Sequence, residues 1–172
     1  MKPYILELPK ESLIERSLER NDYIDVFGID IPSKQPILPK EIVPLFFKSF
    51  PSWFMGLMML REGIAKMIGL KTADGTDVEK ELKEFKGEVG ESIALFHVLD
   101  CSKHEILSGE TDKHLDFRLS FFSIPKSANI SQVILATTVQ YNGWLGKVYF
   151  FFVKPFHRLI VPILLKRIAK SV

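Results

Sequence analysis

Residues 112–122 read Asp-Lys-His-Leu-Asp-Phe-Arg-Leu-Ser-Phe-Phe, and this stretch decides the fold class. Polar and apolar residues alternate through it, so that His114, Asp116 and Arg118 fall on one side. Successive side chains of a β-strand point to opposite faces of the sheet. The pattern therefore predicts a half-buried strand with one ionisable face and one apolar face. The apolar face consists of Leu115, Phe117, Leu119 and Phe121.

The same period of two continues on both sides of this stretch and predicts a β-meander. Strands are predicted over 92–100, 104–108, 112–122 and 131–141, and short polar segments separate them. Short turns join neighbouring strands of an antiparallel sheet. An earlier strand is predicted at 22–30, where residues with a high strand propensity are frequent.

Helical spacing predicts two short helices after the first strand and one long helix at the C-terminus. The short helices cover about 41–49 and 52–68. The long helix is predicted to be capped by Asn142. It is expected to bend, because Pro155 and Pro162 each remove a backbone hydrogen bond from its interior. The apolar stripe predicted to lie on the sheet consists of Leu145, Tyr149, Phe152, Phe156, Leu159 and Ile163.

These elements predict an α+β fold, in which a curved antiparallel sheet wraps around the long C-terminal helix. The 172 residues suit a single domain over 1–172. Because the sheet has one apolar face to bury, the long helix is its expected cover. A strongly curved sheet that grips a helix is expected to leave an apolar cavity between the two.

Charge and cysteine content restrict the compartment and the partners. The net charge is +2, but residues 143–172 carry six cations and no acid, so the rest of the chain carries −4. Lys154, His157 and Arg158 interrupt the apolar window of the long helix, which argues against a membrane-spanning segment. A single cysteine, Cys101, together with an N-terminus that does not resemble a signal peptide, predicts a cytoplasmic protein.

Several short motifs follow this order of elements: Asp22-Tyr23-Ile24-Asp25, Trp53, Leu60-Arg61, Gly109 with Asp112, His114-Leu115-Asp116-Phe117-Arg118, and Pro155-Phe156-His157. With them, the chain resembles the helix-grip fold of the START-like (SRPBCC) superfamily, which includes polyketide cyclases, lipid-transfer domains and the birch pollen allergen. More narrowly, it resembles a bacterial family of unknown function within that superfamily. The resemblance spans about 22–166 and implies a helix-grip fold with a hydrophobic cavity. It carries over no catalytic residue.

The ionisable side of the 112–122 strand has two interpretations. In the functional one, Asp116 fixes a tautomer of His114 and Arg118 binds a carboxylate or phosphate of a ligand. The other interpretation is a solvated outer face with weak cross-strand charge pairs, and the pattern alone favours it. His114 and Asp116 are the only candidates for proton transfer.

Ligand-binding candidates come from the apolar segments and from polar groups beside them. The first half of the 52–68 helix is apolar all round, which is typical of a core helix or a cavity wall. Arg61 is a candidate anchor for an acidic ligand head, although an arginine there more often extends to solvent. The full set of candidates is Trp53, Met58, Arg61, Phe96, Leu115, Phe117, Arg118, Tyr141, Tyr149 and Phe152.

The motifs exclude several other classes of function. The four histidines are spread along the chain without metal-ligand spacing, and no phosphate-binding loop is present, so neither a metal nor a cofactor is predicted. Aromatic residues are not interleaved with exposed cations, which argues against nucleic-acid binding. The basic C-terminal helix leaves transient membrane contact open, although packing of its stripe on the sheet is the preferred interpretation.

Three functions remain open from the residues. The first is a soluble protein that binds a hydrophobic or lipid-like small molecule in the cavity between the sheet and the C-terminal helix. The second is a cyclase-like or hydratase-like enzyme in which His114 and Asp116 transfer a proton. The third is an interaction module without a ligand. The oligomeric state and the identity of a ligand are not determined by any of these patterns.

Overall fold

The protein is described by a computed structural model that covers residues 1–54, 56, 59, 63 and 77–172. The fold is α+β, as predicted, with one open, curved antiparallel sheet and a long C-terminal helix. The seven strands are β1 (Tyr4–Ile5), β2 (Tyr23–Pro32), β3 (Ser92–Ile93), β4 (Phe96–Cys101), β5 (Glu105–Thr111), β6 (Leu115–Ser127) and β7 (Ile130–Tyr141).

The order of strands across the sheet is β1-β2-β7-β6-β5-β4-β3, and all of the pairs are antiparallel. Strands β4 to β7 form the predicted meander. The first long strand, β2, pairs along its whole length with the last strand, from Tyr23 opposite Val139 to Pro32 opposite Ile130. This long-range pairing brings the start of the chain beside the strand that leads into the C-terminal helix.

The described residues contain three α-helices. They are α1 (Pro39–Lys48), α2 (Val78–Glu84) and α3 (Trp144–Ser171). Helix α1 is the first predicted short helix, shifted by about two residues. Residues 52–54 are helical, as predicted for the second short helix, and most of the remainder of its predicted range lies outside the described residues.

The inner face of the sheet, which carries α1 and α3, holds the main core. The strands contribute Phe27, Ile29 and Ile31 from β2 and Leu119 and Phe121 from β6, each no more than 6% exposed. The alternation predicted for residues 115–121 is confirmed, because its apolar side points inward. The second half of α3 closes this core with Ile160, Val161, Leu164, Leu165 and Ile168.

The predicted apolar stripe of the long helix is wrong in its orientation. Leu145, Phe152, Phe156 and Leu159 are exposed, whereas the first half of α3 buries Gly146 and Phe150. Apolar residues occupy most of the circumference of this half of the helix, and Lys147, Lys154 and Arg158 take only one edge, so the spacing of the apolar residues does not select one face. Its cap is also different, since Gly143 occupies the N-cap position with a φ of 101°.

The outer face of the sheet is covered in its middle by the N-terminal cover, which consists of residues 6–16 and includes a 3-10 helix at Leu13–Arg16. Ile14 of this helix is fully buried against Val26, Leu107, Ile134 and Ala136. A solvated outer face, the interpretation that the pattern favoured, is therefore wrong for Ser120, which is 1% exposed. The N-terminal cover had no recognisable apolar period, so the sequence did not predict it.

Two strand boundaries differ from the prediction for local reasons. The predicted strand 92–100 is divided into β3 and β4 by a turn in which Ala94 has a φ of 53°. Strand β6 begins at Leu115 rather than Asp112, because Asp112 lies in the turn before it. It continues past Pro125 through a register shift, which accommodates the missing N–H of the proline.

Candidate functional site

Four polar side chains meet on the inner face at one end of the sheet, and we call them the inner polar cluster. Tyr23 and Asp25 lie on β2, Thr137 lies opposite Asp25 on β7, and His157 faces them from α3. Since side chains alternate along a strand, Tyr23 and Asp25 share the inner face with Phe27. The cluster is thus a group of polar side chains on a face of the sheet that is otherwise apolar.

The carboxylate of Asp25 links two members of the cluster. The hydroxyl of Tyr23 donates a hydrogen bond to Oδ2 of Asp25, and Nε2 of His157 lies 3.3 Å from both carboxylate oxygens. The side chain of Asp25 is 10% exposed and that of His157 is 19% exposed. A carboxylate in such a position requires hydrogen-bond partners, because burial without them is costly. Tyr23 and His157 supply them.

Burial and this carboxylate also determine the protonation of Tyr23. Burial, followed by the hydrogen bond to Asp25, raises the pKa of the Tyr23 hydroxyl well above its usual value. The ammonium of Lys154 lies 5.1 Å from the centre of the Tyr23 ring, within the range of a cation–π contact. Tyr23 therefore stays a hydrogen-bond donor throughout the neutral range.

Two polar atoms of the cluster make no hydrogen bond to the described residues. Oγ1 of Thr137 is buried and has no hydrogen-bond partner among the described residues. His157 is partly exposed, and its contacts within the described part of the chain use Nε2 and the ring face, which leaves Nδ1 free of protein partners there. Buried polar atoms are nearly always paired, so Oγ1 of Thr137 identifies the inner polar cluster as a candidate site for a polar ligand group.

An apolar wall adjoins the cluster under the first half of α3. Its buried centre is Tyr23, Val139 and Phe150, with ring centroids of Tyr23 and Phe150 4.8 Å apart. The half-buried residues packed around this centre are Leu115, Phe117, Tyr141 and Val153. The wall continues toward β4, because the rings of Phe117 and Phe96 lie 5.3 Å apart.

A surface cleft of about 420 Å³, which we call the end pocket, lies where β2, β7 and α3 meet. Its lining residues are Arg20, Asp22, Tyr141, Gly143, Trp144 and Lys147. Asp22 organises it by accepting hydrogen bonds from Nε of Arg20 at 2.9 Å and from the backbone N–H of Tyr141 at 2.7 Å. The hydrogen bond from Arg20 lowers the pKa of Asp22. Tyr141 belongs to both the end pocket and the apolar wall, so the two are continuous.

The structure separates the three candidates on the 112–122 stretch. Oδ1 of Asp116 accepts hydrogen bonds from the backbone N–H of Asp112 at 3.2 Å and from the Asn142 amide at 3.0 Å, so Asp116 braces the turn. His114 lies in that turn, and its carbonyl accepts from the backbone N–H of Asn142. Within the described residues, no hydrogen bond or ion pair joins the side chains of His114 and Asp116.

The first turn of α3 packs closely against the turn that contains His114. A Cβ on Gly146 would lie 1.9 Å from the carbonyl oxygen of His114, so only glycine fits at this contact. Asn142, expected as the helix cap, instead joins the turn to the start of α3 through its side-chain amide. The motif around His114 thus has an architectural role in holding the first turn of the helix.

Arg118 lies on the outer face, away from the inner polar cluster. Its side chain passes over Gly109, where a Cβ would come within 2.7 Å of Cδ of the arginine. Its guanidinium donates to the carbonyls of Glu110 and Phe117, each at 2.9 Å. Burial lowers the pKa of Arg118. Gly109 and Arg118, which both belong to the short motifs, therefore lie opposite each other on β5 and β6, and the glycine leaves room for the arginine side chain.

The other predicted ligand-binding residues are divided between several places. Leu115, Phe117 and Tyr141 come together in the apolar wall, and Phe96 adjoins them. Tyr149 is partly exposed on α3. Trp53 and Phe152 are 47% and 65% exposed. Met58 and Arg61 lie outside the described residues.

The sequence contained a signal for the inner polar cluster that the spacing rules did not use. In β2 the inward positions read Tyr23, Asp25, Phe27 and Ile29, so Asp25 interrupts an otherwise apolar side. The sequence patterns mark His157 only as part of a short motif and as a polar residue that interrupts the apolar window of the long helix. Their 132-residue separation hides the contact from any local pattern. Within the described residues, no group of three His, Cys, Asp or Glu side chains is arranged to hold a metal ion.

The model of one protein family, described as protein of unknown function (DUF2867), matches residues 17–164. This range contains all four residues of the inner polar cluster and most of the sheet. No curated protein matches the chain, and no solved structure matches it. The resemblance to a family of unknown function is confirmed by this match, and its position within the START-like superfamily stays a prediction.

Proposed function

We propose that this chain, which belongs to the protein family of unknown function DUF2867, binds an apolar or lipid-like small molecule between its sheet and the first half of α3. One observation carries this assignment. The inner polar cluster contains a buried hydroxyl without a hydrogen-bond partner among the described residues, Oγ1 of Thr137, beside the hydrogen-bonded group of Tyr23, Asp25 and His157, and it lies at the edge of the apolar wall. A mainly apolar surface with a few convergent polar groups is the usual design of a small-molecule site.

The ligand is held mainly by burial. Its apolar part lies against Phe117, Val139 and Phe150, at about 25 cal/mol for each Å² removed from water. Its polar group accepts a hydrogen bond from Thr137 and pairs with Nδ1 of His157. A hydroxyl satisfies both contacts, because it can accept from Thr137 and donate to Nδ1 of a neutral His157; a carboxylate or carbonyl satisfies them when His157 is protonated, since Nδ1 then donates.

Entry to the site requires the first half of α3 to move away from the sheet. Residues 144–159 bury only Gly146 and Phe150, whereas residues 160–169 are anchored in the main core. Pro155 lies in this helix beside the cluster, and proline removes one backbone hydrogen bond. The first half of α3 thus acts as a lid, with its hinge near the proline and its second half fixed.

A helix-grip fold of the START-like superfamily is part of what we propose. The open, curved sheet with a long C-terminal helix supports it, as does the resemblance in short motifs. That resemblance implies hydrophobic ligands. We also propose a cytoplasmic location, which is supported by the exposed free thiol of Cys101.

Titration with a fluorescent fatty-acid analogue and with an aromatic probe tests the site. We expect saturable binding that His157→Gln and Thr137→Val each weaken by about tenfold, because each removes one hydrogen bond to a buried polar group. His97→Gln is the matched control, since this histidine is exposed and pairs with Glu110 on the surface. Equal affinity in all of these variants, or no saturable binding of either probe to folded protein, would contradict the assignment.

A catalytic function at the same cluster is the second candidate. Nε2 of His157 is held by a carboxylate while Nδ1 is unoccupied among the described residues, and this arrangement suits a general base. Mass spectrometry of the probe after incubation separates the two functions. If the site is catalytic, a converted product appears with the natural sequence, and Asp25→Asn retains binding but abolishes conversion.

A further inference from the structure

The first half of α3 presents a large apolar surface to solvent. Trp144, Phe151 and Phe152 are 71%, 73% and 65% exposed. We call this surface the outer aromatic face, and its members are Trp144, Leu145, Val148, Phe151, Phe152, Phe156 and Leu159. Folded proteins rarely expose contiguous apolar surface of this kind unless it binds something.

Helical geometry places these residues on one face. Positions 144, 148 and 151 are separated by four and three residues, and positions 145, 152, 156 and 159 by seven, four and three, so that both rows lie on the same side of the helix. The buried Gly146 and Phe150 lie on the opposite side, against the sheet. The first half of α3 therefore has two apolar faces, and only the inner one is used by the fold.

Positive charge follows one edge of the outer aromatic face. Lys147, Lys154 and Arg158 are all exposed, at intervals of seven and four residues, so they form a line beside the aromatic residues. The whole segment from 143 to 172 contains no acid. An exposed apolar face with Trp and Phe and a cationic border is the pattern of helices that lie in the interface of a membrane.

We propose that the outer aromatic face docks on the surface of an anionic lipid bilayer. Phe151, Phe152 and Trp144 enter the boundary between headgroups and acyl chains, and the line of cations pairs with lipid phosphates. Charge favours this partner over a second copy of the chain, because two such faces would bring their cations together. The aromatic residues that dock lie on the side of the helix opposite the proposed ligand site, whereas Lys154 also contacts the ring of Tyr23 and Lys147 lines the end pocket.

The rest of α3 requires the docking to be peripheral. Trp144–Ser171 is long and apolar enough to cross a membrane by length and composition. However, Leu164, Leu165 and Ile168 of its second half are 0% exposed in the main core. Insertion across a bilayer would remove these side chains from the sheet, so only the first half of α3 is free to enter lipid.

Cosedimentation of the full chain with vesicles tests the docking. We expect binding to vesicles of phosphatidylcholine mixed with phosphatidylglycerol, weaker binding to phosphatidylcholine alone, and release by high salt. In a Trp53→Phe background, the fluorescence of Trp144 moves to shorter wavelength on binding. This background is needed because the chain has two tryptophans.

Variants of the outer aromatic face separate its two contributions. Phe151→Ser with Phe152→Ser lowers affinity for the anionic vesicles by at least about tenfold, because two aromatic rings no longer enter the interface. The matched control is Val89→Ser with Ile130→Ser, which removes two exposed apolar side chains elsewhere. Circular dichroism and unfolding midpoints confirm that each variant is folded.

Replacement of Lys147, Lys154 and Arg158 by glutamine lowers that affinity on the order of a hundredfold, since each cation near an anionic surface contributes about a factor of five. Replacement of Lys80, Lys83 and Lys86, which are also exposed, makes the same change of charge elsewhere and leaves binding intact.

Three results would overturn the docking. Equal binding of all variants to both kinds of vesicle would show that the outer aromatic face is not the contact. A dimer that the double serine variant converts to a monomer, without any vesicle binding, would assign the face to a second copy of the chain. Resistance of the bound protein to alkaline carbonate extraction would indicate insertion across the bilayer.

Discussion

Asp25 is the residue on which the candidate site depends. Its carboxylate sits between the hydroxyl of Tyr23 and the imidazole of His157, on a strand face that continues with Phe27. At that position an unpaired charge would destabilise the fold, and the two hydrogen-bond partners remove this penalty. The cost of placing this carboxylate in the core is thus offset by the same contacts that form the proposed binding or proton-transfer site.

Tyr23 should make the stability of the protein fall at high pH. Its pKa is raised in the folded state above the ordinary value of 10.0, so it stays neutral after the unfolded chain has ionised. Its contribution is therefore fully present below about pH 10 and is lost as the pH rises through the folded-state pKa. We expect the free energy of unfolding of Tyr23→Phe to fall less steeply above this pH than that of the natural sequence.

Urea unfolding on both sides of about pH 10 measures this difference. Tyr149→Phe removes a tyrosine outside the cluster and serves as the control. Parallel loss of stability in Tyr23→Phe and the natural sequence would disprove the role of the buried hydroxyl.

At the scale of elements, the N-terminal cover is held to the sheet by one buried carboxylate. Glu105 of β5 is 1% exposed and accepts hydrogen bonds from the hydroxyls of Ser12 and Ser120 and from the backbone N–H of Leu13. The N–H groups at the start of a short helix favour negative charge. Glu105 therefore joins the 3-10 helix to two strands of the outer face.

Removal of this carboxylate should loosen the N-terminal cover. Glu105→Ala leaves buried donors without an acceptor, and we expect the free energy of unfolding to decrease by about 3 kcal/mol. Chemical denaturation measures this value. Glu15→Ala is the matched control, because Glu15 lies in the same 3-10 helix and is exposed. Similar stability of the two variants would show that Glu105 is not the tie between helix and sheet.

Helix α3 combines two different environments in one element. Its second half completes the main core with Leu164 and Leu165, and its first half touches the sheet through Gly146 and Phe150. The inner side of the first half borders the inner polar cluster, and the outer side carries exposed aromatic residues. Ligand binding and membrane docking are both assigned to this half because it is the part of the helix that the fold leaves least buried.

At the scale of the whole molecule, stability should decrease from the main core toward the end that carries the site. Local opening requires little energy where few apolar contacts are lost. We expect backbone amides in residues 144–153 to exchange with deuterium faster than those in residues 160–169, as measured by hydrogen-exchange mass spectrometry. Uniform protection along α3 would contradict its role as a lid.

Two substitutions sharpen this comparison. Phe150→Ala should accelerate exchange in the first half of α3 alone, because Phe150 packs only on the apolar wall. Leu164→Ala should instead lower protection throughout the protein, since this residue is fully buried in the main core. If both variants change exchange over the same residues, then α3 opens as one unit.

Much of the molecule could be predicted from short-range patterns. The period of two in residues 115–121 predicted β6 and its inward side, and the sequential strands with short turns predicted the antiparallel meander. The order of strands and helices, and with it the α+β class, followed from these patterns. The single domain over 1–172 stays a prediction. Patterns of this kind succeed because strand and helix periods depend on residues only a few positions apart.

The candidate site was not predictable in the same way. The cluster requires β2 to pair with β7 and His157 of α3 to face Asp25, contacts that no local period encodes. Among the predicted site residues, Leu115, Phe117 and Tyr141 did come together in the apolar wall, because they share the inward side of the sheet. Asp116 and Arg118 proved to serve the turn and the outer face.

The sequence by itself determined the long strands, the helices α1 and α3, their order and the inward side of β6, because each rests on hydrophobic periodicity along a few residues. Only the tertiary structure decided which side of α3 faces the sheet, since most of the circumference of that helix is apolar and its pattern fits more than one orientation. The same packing brought Tyr23, Asp25, Thr137 and His157 together and left the outer aromatic face exposed. Both sites arise from contacts between residues far apart in the chain, and these depend on how complete elements pack.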